Sequence, residues 1–237
     1  VSLIVSIAIY YLFKSTFAHV LTTDKAAVEK NTKELEEMAP AETKERIVCL
    51  CLVFAVVIFF WMAFHQNGAT LTYFARDFVA TSATGVTAME MDVTNLVACI
   101  FIVYGLFGIF QNKGKGKIIP AVLIVAAVAY LSYNYMNVTE VEISAPIFQQ
   151  FNPCFVIALT PVSIGIFGWL AKKGKEPKAP VKIGLGMIVA ALAYLLMTTT
   201  TMGLPAPDAV NPKHLADVNP NLLVSTYLIL TFAELLL

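Results

Sequence analysis

Seven apolar stretches alternate with short polar connections along the chain, running approximately over Val1 to Phe13, Ile47 to Phe64, Val93 to Phe110, Ile118 to Met136, Phe148 to Leu170, Val181 to Met197, and Leu222 to Leu237. A helix needs about 20 apolar residues to cross a hydrocarbon core of roughly 30 Å. Helices satisfy their own backbone polar groups where water is absent. The pattern therefore predicts an all-α, polytopic transmembrane helical bundle with about seven spans, those at the two ends looking cut short. Val1 opens directly on an apolar run without a Met, and Leu237 stops inside another, so the sequence reads as a fragment of a longer protein. The opening run lacks the basic flank and small-residue cleavage site of a signal peptide.

Charge placement orients these spans. Lys and Arg number six in Lys14 to Arg46, one (Arg76) in the next connection and three in Asn112 to Lys117. There are then none, five in Lys172 to Lys182, and one (Lys213). Positive-rich loops stay cytoplasmic. This alternation puts Lys14–Arg46, Gln111–Lys117 and Ala171–Lys182 inside. It puts Gln66–Asp92, Asn137–Ile147 and Thr198–Asn221 outside, where Thr, Asn, Asp and Pro predict irregular turns. Residues 14–46, with Glu and Lys interleaved, read as a solvated cytoplasmic linker after a terminal span at 1–13, and 47–237 as the bundle.

Composition agrees: 58% of the residues are apolar and 14% charged, against about 45–50% and 25% in soluble domains. Sixteen basic and sixteen acidic residues cancel, which points to no nucleic-acid partner. Cys49, Cys51, Cys99 and Cys154 lack the spacing and companion ligands of a zinc site and read as packing residues.

Ionisable groups inside spans are costly, so each is a functional candidate. Glu234 stands about twelve residues into an otherwise apolar helix. Its charged form costs roughly 2.5–3.5 kcal/mol near the bilayer centre. It must pair with a cation, carry a proton or line water, or else form an ion pair between helices. In Phe59-Phe-Trp-Met-Ala-Phe-His-Gln-Asn-Gly68, His65 and Gln66 follow Trp61 by one helical turn and share its face. The group forms either a ligand wall with a proton-relaying His or an ordinary aromatic belt at the membrane interface. Asn152-Pro153 and Pro161 suit either a kinked, moving helix or plain membrane packing. Gly184-Leu-Gly186 with Ala190, Ala191 and Ala193 permits close helix contact. No catalytic constellation, phosphate-cradling loop, cofactor motif or metal set is present in the sequence.

Four of these segments resemble the proton-dependent oligopeptide transporter family of the major facilitator superfamily, in that family's order. Phe59 to Gly68 resembles its seventh helix, with His65 where an acid is usual. Phe151-Asn-Pro-Cys-Phe-Val-Ile-Ala-Leu-Thr-Pro161 is similar to its eighth, and Pro177 to Gly186 to the opening of its ninth. Val218-Asn-Pro220 with Tyr227 to Leu235 is similar to its tenth, including the Glu-Leu pair.

The resemblance implies a major facilitator-like bundle in which 93–136 is an inserted helix pair. It implies proton-coupled import of di- and tripeptides across the inner membrane, together with the N-terminal half of the same transporter. Glu234 would receive the peptide amino terminus, Asn152 would hydrogen-bond the peptide backbone, and Trp61 would form part of the pocket wall. Gln66 is a possible polar group of the pocket. Proton coupling would involve His65 and Glu234. Because His gains a charge on protonation where a carboxylate loses one, charge pairing at His65 must differ from the family's usual scheme. Two other classes fit the same topology: an integral membrane enzyme, which needs paired catalytic groups, and a non-transporting subunit, in which Glu234 is a helix–helix ion pair.

Overall fold

The computed structural model describes residues 7, 10–12, 40–207 and 214–237. The predicted span at Val1 to Phe13 and the linker at 14–46 lie mostly outside the described residues. The chain divides into two units, Val1–Val56 and Val57–Leu237. Its long helices are α1 (Pro40–Phe64), α4 (Val93–Gln111), α5 (Ile118–Asn137), α6 (Phe151–Lys172), α7 (Ala179–Thr201) and the shorter α8 (Asn221–Glu234). Short helices α2 (Thr70–Phe78) and α3 (Gly85–Glu90) lie between α1 and α4. Among the described residues, five helical stretches are long and apolar enough to cross a membrane, and α8 is a shorter apolar helix.

Spans form where apolar runs leave no polar group to compete with helical hydrogen bonding, and they end at charge or turn chemistry. The Asp92 side chain caps the start of α4 by accepting from the Thr94 N–H at 2.8 Å, filling one of the donors a helix leaves free at its N-terminus. Gly174, just beyond α6, adopts φ +64°, a left-handed conformation that glycine takes without a Cβ penalty. Outward-facing Leu52, Phe59, Val125, Ile188 and Leu195 stay exposed, as the surface of a helix in lipid requires.

Within Val57–Leu237, α8 packs on α7 and α6, and α4 packs on α5 and α6. The buried face of α8 carries Leu223, Thr226, Tyr227, Leu230, Thr231 and Ala233. Gly186 of α7 makes the close approach possible: a Cβ there would stand 2.9 Å from the Ala233 carbonyl oxygen and 2.8 Å from Leu237 Cδ1. Gly184 meets nothing within 4 Å, so the expected small-residue contact runs through Gly186. In α4, a Cβ on Gly105 would stand 2.6 Å from Ile124 Cγ1 of α5.

The connection Gln66–Asp92 is more ordered than its composition predicts. Leu71, Ala75 and Phe78 recur at helical spacing and are buried on one face of α2, a stripe of the kind that holds an amphipathic helix down. The three connections with few lysines meet at one end of the bundle. Strand β1 (Ser82–Ala83) pairs antiparallel with β2 (Val141–Glu142), and Ile143 N–H donates to Thr81 O at 2.7 Å. Val218 N–H donates to Phe78 O at 2.7 Å, Ala80 N–H donates to Val218 O at 3.0 Å, and Leu215 N–H donates to Asp77 O at 2.7 Å. One end of the bundle thus carries a main-chain tie across all three loops.

Candidate functional site

The site is built where α8, the start of α6 and the end of α1 converge. On α8, Tyr227, Thr231 and Glu234 are spaced by four and three residues and so share a face. The Thr231 hydroxyl is shared between Tyr227 O at 2.8 Å and Asn152 Oδ1 at 2.9 Å. With its oxygen accepting from Thr231, the Asn152 amide group is left facing the Glu234 carboxylate, its polar neighbour. One carboxylate oxygen, Oε2, is buried and has no hydrogen-bond partner among the described residues. A buried acceptor left unmatched is expensive, so this atom is the feature of the site that calls for a ligand.

His65 lies within electrostatic reach of Glu234. It opens a 3₁₀ turn, His65–Asn67, immediately after α1, and its ring sits 5.6 Å from that of Trp61. Trp61 also meets Phe60 and Phe64 edge-on, at 5.7 and 5.5 Å. This end of α1 is fixed by two tyrosines: Tyr194 of α7 donates to Ala63 O at 2.6 Å and Tyr227 of α8 donates to Asn67 O at 2.8 Å. Both hydroxyls thus occupy backbone carbonyls that the break between α1 and α2 frees from helical pairing.

The structure therefore brings Glu234, Asn152 and His65 together, with Trp61 joined through the His65 ring. Gln66 is engaged elsewhere. Its Oε1 accepts from the Thr70 hydroxyl at 2.6 Å and its Nε2 donates to Met62 O at 3.4 Å, so it serves the turn into α2. Thr231, Tyr227 and Tyr194 are site residues that sequence reasoning missed. The first two could have been found from their spacing to Glu234, whereas Tyr194 carries no such signal. Pro161 lies within the continuous helix α6, where the neighbouring Thr160 hydroxyl donates to Val156 O at 2.6 Å.

Chemically, the arrangement offers a carboxylate with an amide neighbour and one open oxygen, an imidazole within electrostatic reach and an aromatic wall. A carboxylate so placed can accept from a cationic donor. Among the described residues no group of His, Cys, Asp and Glu could hold a metal ion.

The pattern of the POT family matches residues 126–237. Dipeptide and tripeptide permease B of Salmonella typhimurium is 29% identical over 165 residues, covering 63% of this chain and 32% of the relative. The protein of that name from Shigella dysenteriae is 26% identical over 168 residues, covering 62% and 33%. The uncharacterized transporter YclF of Bacillus subtilis is 35% identical over 98 residues, covering 40% and 17%. The chain thus spans about a third of the length of the two permeases. No solved structure matches.

Proposed function

We propose that this chain, whose residues 126–237 match the pattern of the POT family, is a member of that family and forms part of a proton-coupled importer of di- and tripeptides. The observation that carries the reading is the Glu234 carboxylate, with Asn152 as its polar neighbour and the buried Oε2 unmatched. The α-ammonium of a peptide supplies both the positive charge and the donors this oxygen lacks. Substrate peptides share that group whatever their side chains, so a site built on it accepts many sequences. The relatives named as dipeptide and tripeptide permeases support this substrate class.

Asn152 has a second role, hydrogen-bonding the peptide backbone alongside Glu234, and Trp61 forms wall. Proton coupling is assigned to His65 and Glu234, the two ionisable side chains of this site. Transport proceeds by alternating access in the inner membrane, the C-terminal bundle here supplying one wall and the N-terminal half of the transporter the other. Residues 93–136 are an inserted helix pair, which as a pair leaves the orientation of the following spans unchanged.

The test is uptake of a labelled dipeptide by the full-length protein in proteoliposomes, with and without an inward proton gradient. Gradient-driven uptake by wild type that is lost in Glu234→Gln supports the reading. No uptake across a dipeptide panel overturns it.

A further inference from the structure

The geometry points to a binding site for an anionic phospholipid in the groove between α4 and α6, at the end of the bundle opposite the tied loops. The groove has a volume of about 350 Å³, and Gln111, Pro161, Gly165, Gly168, Trp169 and Lys172 line it. Its floor is low because two glycines stand there. Gly168 has nothing within 4 Å of where a Cβ would be, whereas at Gly165 that position is 3.1 Å from Phe107 of α4. One glycine leaves the trough open and the other lets the two helices close beneath it.

Charge at the mouth of this groove is one-sided. The connections 111–117 and 171–182 bring Lys113, Lys115, Lys117, Lys172, Lys173, Lys175, Lys178 and Lys182 against a single acid, Glu176. Glu176 is already paired with Lys182 at 2.5 Å. The Lys173 ammonium sits over the Trp169 ring, 3.7 Å from its centroid. The aromatic thus marks the depth at which the apolar trough gives way to cationic head-level groups. Basic pockets between spans on the positive side of a membrane protein select anionic headgroups. Here Lys172, Lys173 and Gln111 would hold the phosphate, and one acyl chain would lie along the glycine floor toward Pro161. The apolar trough is what distinguishes a lipid from free phosphate, which would leave it empty. This site stands independently of what the protein transports.

Native mass spectrometry of the full-length protein, offered phosphatidylglycerol and phosphatidylcholine with identical chains, tests it. Wild type should retain phosphatidylglycerol preferentially. Lys172→Gln and Lys173→Gln should each lower that retention roughly fivefold, the weight of one lysine near an anionic surface. Gly168→Leu, which fills the floor while keeping every charge, should lower it as well, and Arg76→Gln, at the opposite, tied end of the bundle, should not. Equal retention of the two lipids by wild type, an unchanged Gly168→Leu, or a loss in Arg76→Gln as large as in Lys172→Gln overturns the site. Thermal unfolding of each variant in lipid-free detergent should match wild type, which separates lost binding from lost folding.

Discussion

The pairs α7–α8 and α4–α5 are packed alike and used differently. Each is drawn together through a glycine, Gly186 against the Ala233 carbonyl in one and Gly105 against Ile124 in the other. In α4–α5 the interior polar groups answer one another: Asn134 donates to Asn95 Oδ1 at 2.7 Å, Asn95 donates to Met89 O at 3.0 Å, and Thr94 and Tyr130 hydroxyls meet at 2.9 Å. On the other face of α8, toward α6, the polar line from Tyr227 through Thr231 and Asn152 leads to a carboxylate whose Oε2 has no partner among the described residues. Close packing alone therefore does not mark function. What separates the two networks is the Glu234 oxygen left open at the end of one, a condition that Glu90 Oε2 of α3, outside the α4–α5 bonds, shares.

The sharpest way to break this contrast is to cross stability with uptake. Glu234→Gln should cut peptide uptake by at least about 30-fold, the scale of losing one partner of a desolvated charge pair. Its thermal unfolding temperature should hold or rise, because a costly buried charge is gone. Asn134→Leu should do the reverse, lowering stability by about 1 kcal/mol by orphaning Asn95 while leaving uptake close to wild type. If both variants lose uptake equally, the division between the two pairs fails.

Packing comes next in size. Gly186→Ala should destabilise by about 1–3 kcal/mol, because its methyl meets a backbone carbonyl that cannot turn aside. Gly184→Ala, facing open space, should stay within about 0.5 kcal/mol. Thermal unfolding in detergent reads both, and equal effects would show that the α7–α8 contact is not where it is drawn.

The smallest expected effect lies in the tied loops. Asp217 hydrogen-bonds His214 at 2.8 Å and holds its imidazole above the ordinary His range, helped by the Arg76 backbone. A raised folded value means the contact contributes fully below about pH 6.5 and is lost as pH rises through the folded value. The pair is largely exposed, so the contribution is slight. Titration of His214 followed by NMR should shift to lower pH in Asp217→Asn, and an unchanged midpoint would remove Asp217 as the cause.

Span positions were legible because lipid demands apolar length, and length is written in the sequence. α4, α5 and α6 start and stop within about three residues of the apolar runs at 93–110, 118–136 and 148–170. Glu234 was legible for the same reason, as a charge where none is tolerated cheaply. Its surroundings were less so. Asn152 stands 82 positions away in the chain (234 − 152), and only folding brings the two together. Gln66 shares the neighbourhood of His65 in sequence yet turns to Thr70, because a chain leaving α1 must satisfy the next turn before it can serve a ligand. The loop pairings were invisible, since two-residue strands such as Ser82–Ala83 carry no periodicity to read.

The loop tie has a mechanical consequence. Prising α1, α4, α6 and α8 apart at that end would tear main-chain hydrogen bonds at Thr81, Phe78, Ala80 and Val218. Force applied to any one of these loops is therefore felt by the other two, because each is held to a neighbour through backbone atoms that no side-chain rotation can release.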